Sequence, residues 1–209
     1  NFIIIFNGEI YNHWDLRNQY LKEFQFRSSS DTETVLNLFI KFGEKSVELL
    51  NGIFAFAVYN KRSKDVFIVR DQFGVKPLYI YSDDEQFIFS SEIKTFLNFD
   101  INKSISYESL TNYILNLWSP GQMTPFKYVE KLLPGHFIKF SLEKKDKKEF
   151  VNYYDDKLSG EYLEFSESEI ISKLENLLIK AVKRQLISDV PIGFFLSGGL
   201  DSTLIVAIA

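Results

Sequence analysis

A chain of 209 residues, 45% hydrophobic and 25% charged, has the composition of a soluble globular protein, long enough for one large domain or one domain and part of another. A net charge of −4 gives no electrostatic case for nucleic acid or an anionic membrane as partner, and the absence of cysteine excludes disulfides and thiolate metal sites while agreeing with a reducing, cytoplasmic setting. With only His13 and His136, both in polar or turn contexts that read as surface, a histidine metal site or a Ser-His-Asp triad has little to draw on.

Phe2-Ile3-Ile4-Ile5-Phe6 reads as a buried strand directly after Asn1. The last residues, Leu204 to Ala209, stop inside a helical pattern without a cap, so both ends read as internal to a longer protein. Asn7-Gly8 predicts a tight turn into a helix from about Asp15 to Leu21. The same pair could present an amide and a bare N–H to an oxyanion, as an acyl-transfer site requires. Ser30 and Glu33 fit a capping box before a helix carrying Val35, Leu36, Phe39 and Phe42 on one face, which makes Asp31 a first-turn carboxylate.

Short apolar strands are predicted at Ile53–Tyr59, Val66–Val69, Leu78–Tyr81 and Phe87–Phe89, joined by polar links that suit antiparallel hairpins. They are apolar throughout, so the sheet should be covered on both faces. Arg70-Asp71 reads as an ion pair pinning the loop that runs to Lys76-Pro77. Ser91 to Lys94 opens a short helical piece, and Ser106 caps a helix with Leu110, Ile114 and Leu117. Lys144 to Glu149 reads as a hairpin tip, and Asn152 to Phe165 as an inter-domain linker. Ser166 and Glu169 form a second capping box, opening a helix to about Ile187 with Ile170, Leu174, Leu177, Leu178 and Ala181 along one stripe.

The most specific chemistry lies in Pro191 to Ser202. Phe194-Phe195-Leu196 has the character of a strand and Ser202 to Ala209 that of a helix, so Ser197-Gly198-Gly199-Leu200-Asp201-Ser202 predicts a strand-to-helix turn. Adjacent glycines let backbone approach a ligand closely, and a helix start favours an anion such as phosphate. Asp201 would repel bare phosphate, which suggests an intervening magnesium ion. The P-loop pattern is absent.

Ser-Gly-Gly-Leu-Asp-Ser resembles the pyrophosphate loop of ATP pyrophosphatases, and the whole chain resembles the glutamine-hydrolysing asparagine synthetases. The resemblance is carried by Asn7-Gly8-Glu9-Ile10-Tyr11-Asn12, Ser30-Asp31, Arg70-Asp71 with Gly74 and Lys76 to Tyr79, Ser91 to Lys94, Leu133-Pro134-Gly135-His136, and Asp189-Val190-Pro191 leading into Ser197 to Ser202, in the family's order. It implies an α+β N-terminal-nucleophile hydrolase sandwich of αββα layers over residues 1–152, lacking its N-terminal part. A linker over 153–165 and the beginning of an α/β ATP-pyrophosphatase domain over 166–209 would follow.

The implied reaction is ATP-dependent synthesis of asparagine from aspartate with ammonia released from glutamine, through an aspartyl-adenylate. By the same resemblance Asn7 and Gly8 form the oxyanion hole, Glu9 helps bind glutamine and Asp31 accepts its α-ammonium group. Leu196 contacts the nucleotide, while Ser197, Gly198, Gly199, Asp201 and Ser202 hold ATP phosphates, with Asp201 on Mg2+. The implied partners are the small molecules glutamine, aspartate and ATP, and the full-length assembly admits a homodimer. The family's nucleophile is an N-terminal cysteine, so this cysteine-free chain by itself is expected to be inactive. A relative with an inactive glutaminase domain, as in β-lactam-forming synthetases, or a non-catalytic binding module, remains the alternative.

Overall fold

The structure, a computed structural model, describes residues 1–143, 148–155, 164–188 and 190–209. It divides into two compact units, Asn1–Asp155 and Asp156–Ala209.

The first unit is built on a five-stranded antiparallel sheet. Its strands are β1 (Phe2–Ile10), β2 (Gly52–Asn60), β3 (Asp65–Arg70), β7 (His136–Ser141) and β8 (Glu149–Asn152), lying in that order. A second sheet places β4 (Tyr79–Ser82) between β5 (Phe87–Ser90) and β6 (Val129–Lys131), again antiparallel. The alternation of side chains along β2 shows why its run is apolar on both faces. Phe54, Phe56 and Val58 pack with Leu16 and Leu21 of α1 (His13–Tyr20) and its end, and with Val35 and Leu38 of α2 (Asp31–Phe42). Ala55 and Ala57 face the other way, against Leu78 and Ile80 of the second sheet. Beyond that sheet, Tyr81 and Val129 are covered by Phe96 of the 3-10 segment Ile93–Asn98, which α3 (Tyr107–Asn116) follows in the chain. Helices, sheet, sheet and helical cover thus form four layers, and small alanines where the sheets meet keep them close.

Two expectations are corrected here. Asn7-Gly8 is no turn: β1 runs through it, with Gly8 opposite Phe54, because a Cβ at Gly8 would lie 2.2 Å from the Ile53 carbonyl. Glycine is needed there for close approach to β2. His13 is no surface residue: it is buried at the start of α1, with Nδ1 lacking a partner in the structure. Burial is the main cause holding its imidazole below the ordinary pKa, with Arg17 adding to this and Asp31 opposing it.

Arg70 and Asp71 do pin their loop, though not by pairing with each other. The Arg70 guanidinium donates to the carbonyls of Lys76 (2.8 Å), Leu132 (2.6 Å) and Gly74 (2.7 Å). The buried Asp71 carboxylate accepts the N–H groups of Phe73 (3.1 Å), Val75 (2.9 Å), Lys76 (3.0 Å) and Phe54 (3.3 Å). Each ion satisfies backbone of the turn from β3 toward β4 and ties it to a distant segment, Arg70 to Leu132 and Asp71 to Phe54 of β2, and Gly74 adopts φ +65° where a side chain would strike Pro134 and Arg70.

The second unit contains α4 (Glu167–Gln185) and α5 (Leu200–Ile208). Glu169 accepts the Ser166 N–H at 2.8 Å, as the expected capping box requires. Ile170, Ile171, Leu174 and Leu177 line α4 but are half-exposed or more. Phe194 to Leu196 forms no strand, and Phe195 is fully exposed, since no described segment of this unit offers an edge to pair with. Of the hairpin tip expected over 144–149, residues 144–147 lie outside the described residues, as do 156–163 of the linker expected over 153–165 and Asp189.

Asp71→Ala should leave several buried N–H groups unsatisfied and cost about 3 kcal/mol in denaturant melts; a loss below about 1 kcal/mol would contradict the bracing role assigned to it. Because the unfolded chain protonates a histidine that the folded one keeps neutral, stability should fall as pH drops through the ordinary histidine range near about 6.5. His13→Gln should flatten that dependence, and equal slopes for both proteins would count against it.

Candidate active sites

The outer edge of β1 is where the first unit exposes backbone with chemical potential. Lys61 N–H donates to the Asn1 carbonyl and Tyr11 N–H to the Asn51 carbonyl, each at 2.8 Å, at the two ends of the β1–β2 register. In an antiparallel pair the residues facing the partner alternate with residues facing away. Odd-numbered residues of β1 therefore bond to β2, and the N–H groups of Gly8 and Ile10 point outward. Ile10 N–H is taken by the Asp31 carboxylate at 2.9 Å, as this alternation demands.

Asp31 is therefore more than a favourable first-turn charge. Ser30 caps α2 by accepting the Thr32 N–H at 3.2 Å. The expected partner Glu33 instead reaches back to Arg27 N–H (2.9 Å) and Ser28 N–H (2.8 Å), which hold its carboxyl below the usual range. A residue that sequence reading passed over completes the brace. Arg17, buried on α1, donates to Ser28 O (2.9 Å), Ser30 O (2.6 Å) and Thr34 Oγ1 (2.7 Å), and its guanidinium lies 3.8 Å from the Phe26 ring centre. Its spacing four residues after His13 on an otherwise polar helix was the available signal. The result is a carboxylate delivered to the β1 edge by a loop tied at both ends.

Asn7 projects to the opposite face, where its amide donates to Ser91 Oγ at 3.1 Å. There it lines a cavity of about 410 Å3 with Ile5, Ala55, Ala57, Leu78, Phe89 and Thr95. By alternation Glu9 and Tyr11 share that side; burial is the first cause raising the Tyr11 hydroxyl, with the Glu9 and Asp71 carboxylates adding to it. Asn12 fastens the end of β1, donating to Leu49 O at 2.9 Å and accepting the Asn51 N–H at 3.0 Å. Gly8 N–H and the Ile10 N–H that anchors Asp31 lie two strand residues apart, about 7 Å.

In the second unit the predicted loop does enter a helix. Gly198 adopts φ +80°, Gly199 precedes the first turn of α5, and a Cβ on Gly198 would meet nothing within 4 Å. Ser197 and Ser202 hydroxyls lie 3.0 Å apart, and Ser202 and Thr203 both donate to the Gly199 carbonyl. The first N–H groups of α5 have no helical partner and face solvent, an arrangement suited to phosphate. Asp201 is exposed in that turn. No group of three or more metal-ligating side chains occurs among the described residues. A single carboxylate beside a phosphate-type cradle still fits Mg2+, which takes one or two carboxylates and completes its shell from phosphate and water.

Among the described residues, no helix is long and apolar enough to cross a membrane. Residues 1–154 match the family model described as a glutamine amidotransferase domain, and residues 173–209 match that described as asparagine synthase. Asparagine synthetase [glutamine-hydrolyzing] 3 of Bacillus subtilis is 39% identical over 213 residues, covering 100% of this chain and 34% of its own length. Asparagine synthetase [glutamine-hydrolyzing] 1 of the same organism is 34% identical over 207 residues, covering 99% and 32%. The chain thus spans about a third of each relative. Among solved structures, glutamine phosphoribosylpyrophosphate amidotransferase from B. subtilis, complexed with ADP and GMP, aligns with a TM-score of 0.52 at 18% identity, over 73% of this chain and 29% of that one. At that identity the likeness shows the fold, the antiparallel sandwich of N-terminal-nucleophile hydrolases. With its match extending over residues 1–154, the chain belongs to the glutamine amidotransferase domain family, and an asparagine synthase match follows in the same polypeptide.

Proposed function

We infer that the full-length protein makes asparagine from aspartate, using ATP and ammonia released from glutamine. What carries this reading is the outward N–H of Gly8 on a strand edge that pairs with no other strand among the described residues, flanked by Asn7 and Asp31, in one chain with the Ser197–Ser202 loop. In this reading residues 1–152 are the glutaminase domain, 153–165 the linker and 166–209 the start of the synthetase domain.

Glutamine lies along the β1 edge. Its side-chain carbonyl takes hydrogen bonds from Gly8 N–H and the Asn7 amide, which stabilise the negative charge that develops on that oxygen during acyl transfer. Asp31 accepts the α-ammonium group, Glu9 assists binding, and Arg17 positions Asp31 through the Ser28–Ser30 loop. The attacking nucleophile is no residue of this cysteine-free chain, so the 209 residues alone hold glutamine without hydrolysing it. At the second site the α5 N-terminus, Ser197, Gly198, Gly199 and Ser202 hold the triphosphate, and Leu196 meets the nucleotide. Mg2+ held by Asp201 would neutralise phosphate charge as pyrophosphate leaves and an aspartyl-adenylate forms. Ammonia then attacks the activated carboxyl carbon, the amide C–N bond forms, and AMP departs with the oxygen of the broken bond.

Two substitutions in the full-length enzyme separate the halves of this reading. Asp31→Ala should raise KM for glutamine at least tenfold and leave ammonia-dependent asparagine synthesis unchanged, whereas Gly199→Val should abolish synthesis from either nitrogen source. The assignment is lost if Asp31→Ala depresses both activities equally or if Gly199→Val retains ammonia-dependent synthesis. Arg17→Ala should reproduce the KM effect of Asp31→Ala with kcat nearly intact, and an unaltered KM would remove Arg17 from its positioning role.

A further inference from the structure

Asn7 in β1 of the first sheet and Ser91, just past β5 of the second, are 84 residues apart in the chain, yet the Asn7 amide nitrogen donates to Ser91 Oγ at 3.1 Å. Local structure fixes both partners. Ser90 ends β5 opposite Tyr79 of β4, and its hydroxyl accepts the Glu92 N–H at 3.2 Å, which bends the chain at Ser91. Beyond the bend, the fully buried Phe96 anchors the 3-10 segment. The Glu92 carboxylate is drawn to Lys94 at 2.7 Å, so it does not compete for the Asn7 amide. On the other side, the β1–β2 register sets Asn7 opposite Ala55, whose small side chain leaves the amide room to reach across the space between the sheets.

The two sheets do not need this bond to stay together. They already share the buried cluster of Ala55, Ala57, Ile68, Leu78, Ile80 and Ile138, and one exposed hydrogen bond between neutral groups adds little to it. Its effect is on the direction of the amide. The last torsion of an asparagine side chain is broad and nearly two-fold, so an unrestrained amide turns its oxygen toward a ligand about as readily as its nitrogen. An oxygen so turned repels a developing oxyanion, whereas an N–H stabilises it. A primary amide carries two N–H bonds in one plane. With one of them committed to Ser91, the other has a set direction and meets no acceptor among the described residues, beside the cavity of about 410 Å3 that Asn7, Ser91 and Thr95 help to line.

We propose that Ser91 is a positioning residue for glutamine hydrolysis: by accepting one N–H of Asn7 it aims the other, together with the outward N–H of Gly8, at the carbonyl oxygen of the substrate amide. The proposal rests on Asn7 and Gly8 being the oxyanion donors. Ser91 itself touches no reacting atom. Its loss therefore slows the chemical step and leaves glutamine binding nearly unchanged, in contrast to the loss of Asp31.

Steady-state kinetics of the full-length enzyme, with glutamine and with ammonia as nitrogen source, test it. Ser91→Ala should lower kcat for glutamine hydrolysis about tenfold, keep KM for glutamine within about twofold and leave ammonia-dependent synthesis unchanged. Ser91→Thr, which keeps the hydroxyl, should bring kcat back to within about twofold of wild type. Asn7→Ala should cost about a hundredfold in kcat, and adding Ser91→Ala to it should cost nothing further, because no amide remains to be aimed. If Asn7→Ala is costly and Ser91→Ala is not, or if the two losses multiply in the double variant, Ser91 loses its role while the oxyanion donors keep theirs. If Asn7→Ala leaves kcat intact, the assignment of Asn7 falls and the role of Ser91 with it. A loss in Ser91→Ala that is equal with both nitrogen sources, or confined to KM, would also overturn the proposal.

Discussion

Everything the first unit can do follows from the register of β1 against β2. Nine consecutive pairs, from Phe2 opposite Asn60 to Ile10 opposite Gly52, commit the odd-numbered backbone groups to the sheet and leave the even-numbered ones facing out. A slip of one residue would turn Gly8 N–H inward and send Asn7 to the helical side. Burial prevents that slip, because Phe2, Ile4, Phe6 and Ile10 pack against the helical layer while Ile5 and Asn7 face the second sheet. The hydrophobic pattern that folds the strand is thus the same pattern that aims the donor.

Around this edge, charged side chains are used chiefly to hold backbone. Arg17 gathers carbonyls before α2, Arg70 gathers two from the turn after β3 and that of Leu132, and Asp71 collects three N–H groups from the same turn and that of Phe54 in β2. Charge-assisted bonds of this kind are stronger than neutral ones, and leaving any of those groups unpaired in a buried loop would be costly. The loops are thereby tied in place, and Asp31 stands at a set height along β1.

In the second unit the balance is different. Its helices form from local rules, a capping box at Ser166–Glu169 and a glycine-led start at α5, and these operate whether or not the apolar stripe of α4 is covered. A strand cannot form so independently, because its hydrogen bonds need a neighbour, and Phe194 to Leu196 accordingly runs without one. The phosphate-type loop keeps its glycine geometry even so, since φ at Gly198 and the first turn of α5 are local properties.

The sequence by itself determined the elements whose causes are local or periodic: the antiparallel hairpins, the two-faced burial of β2, the capping box of α4, the start of α5 and, through motif order, the family. Only the tertiary structure decided that Asn7-Gly8 lies within a strand, that Glu33 serves Arg27 and Ser28 in place of Ser30, that His13 is buried, and that Arg70 and Asp71 act on backbone and not on each other. Each of these depends on a partner distant in the chain, Ile53 for Gly8 and Leu132 for Arg70, and spacing along a sequence carries no record of what approaches from elsewhere. Arg17 was hidden for the same reason: its role exists only where α1 lies beside the loop that leads into α2.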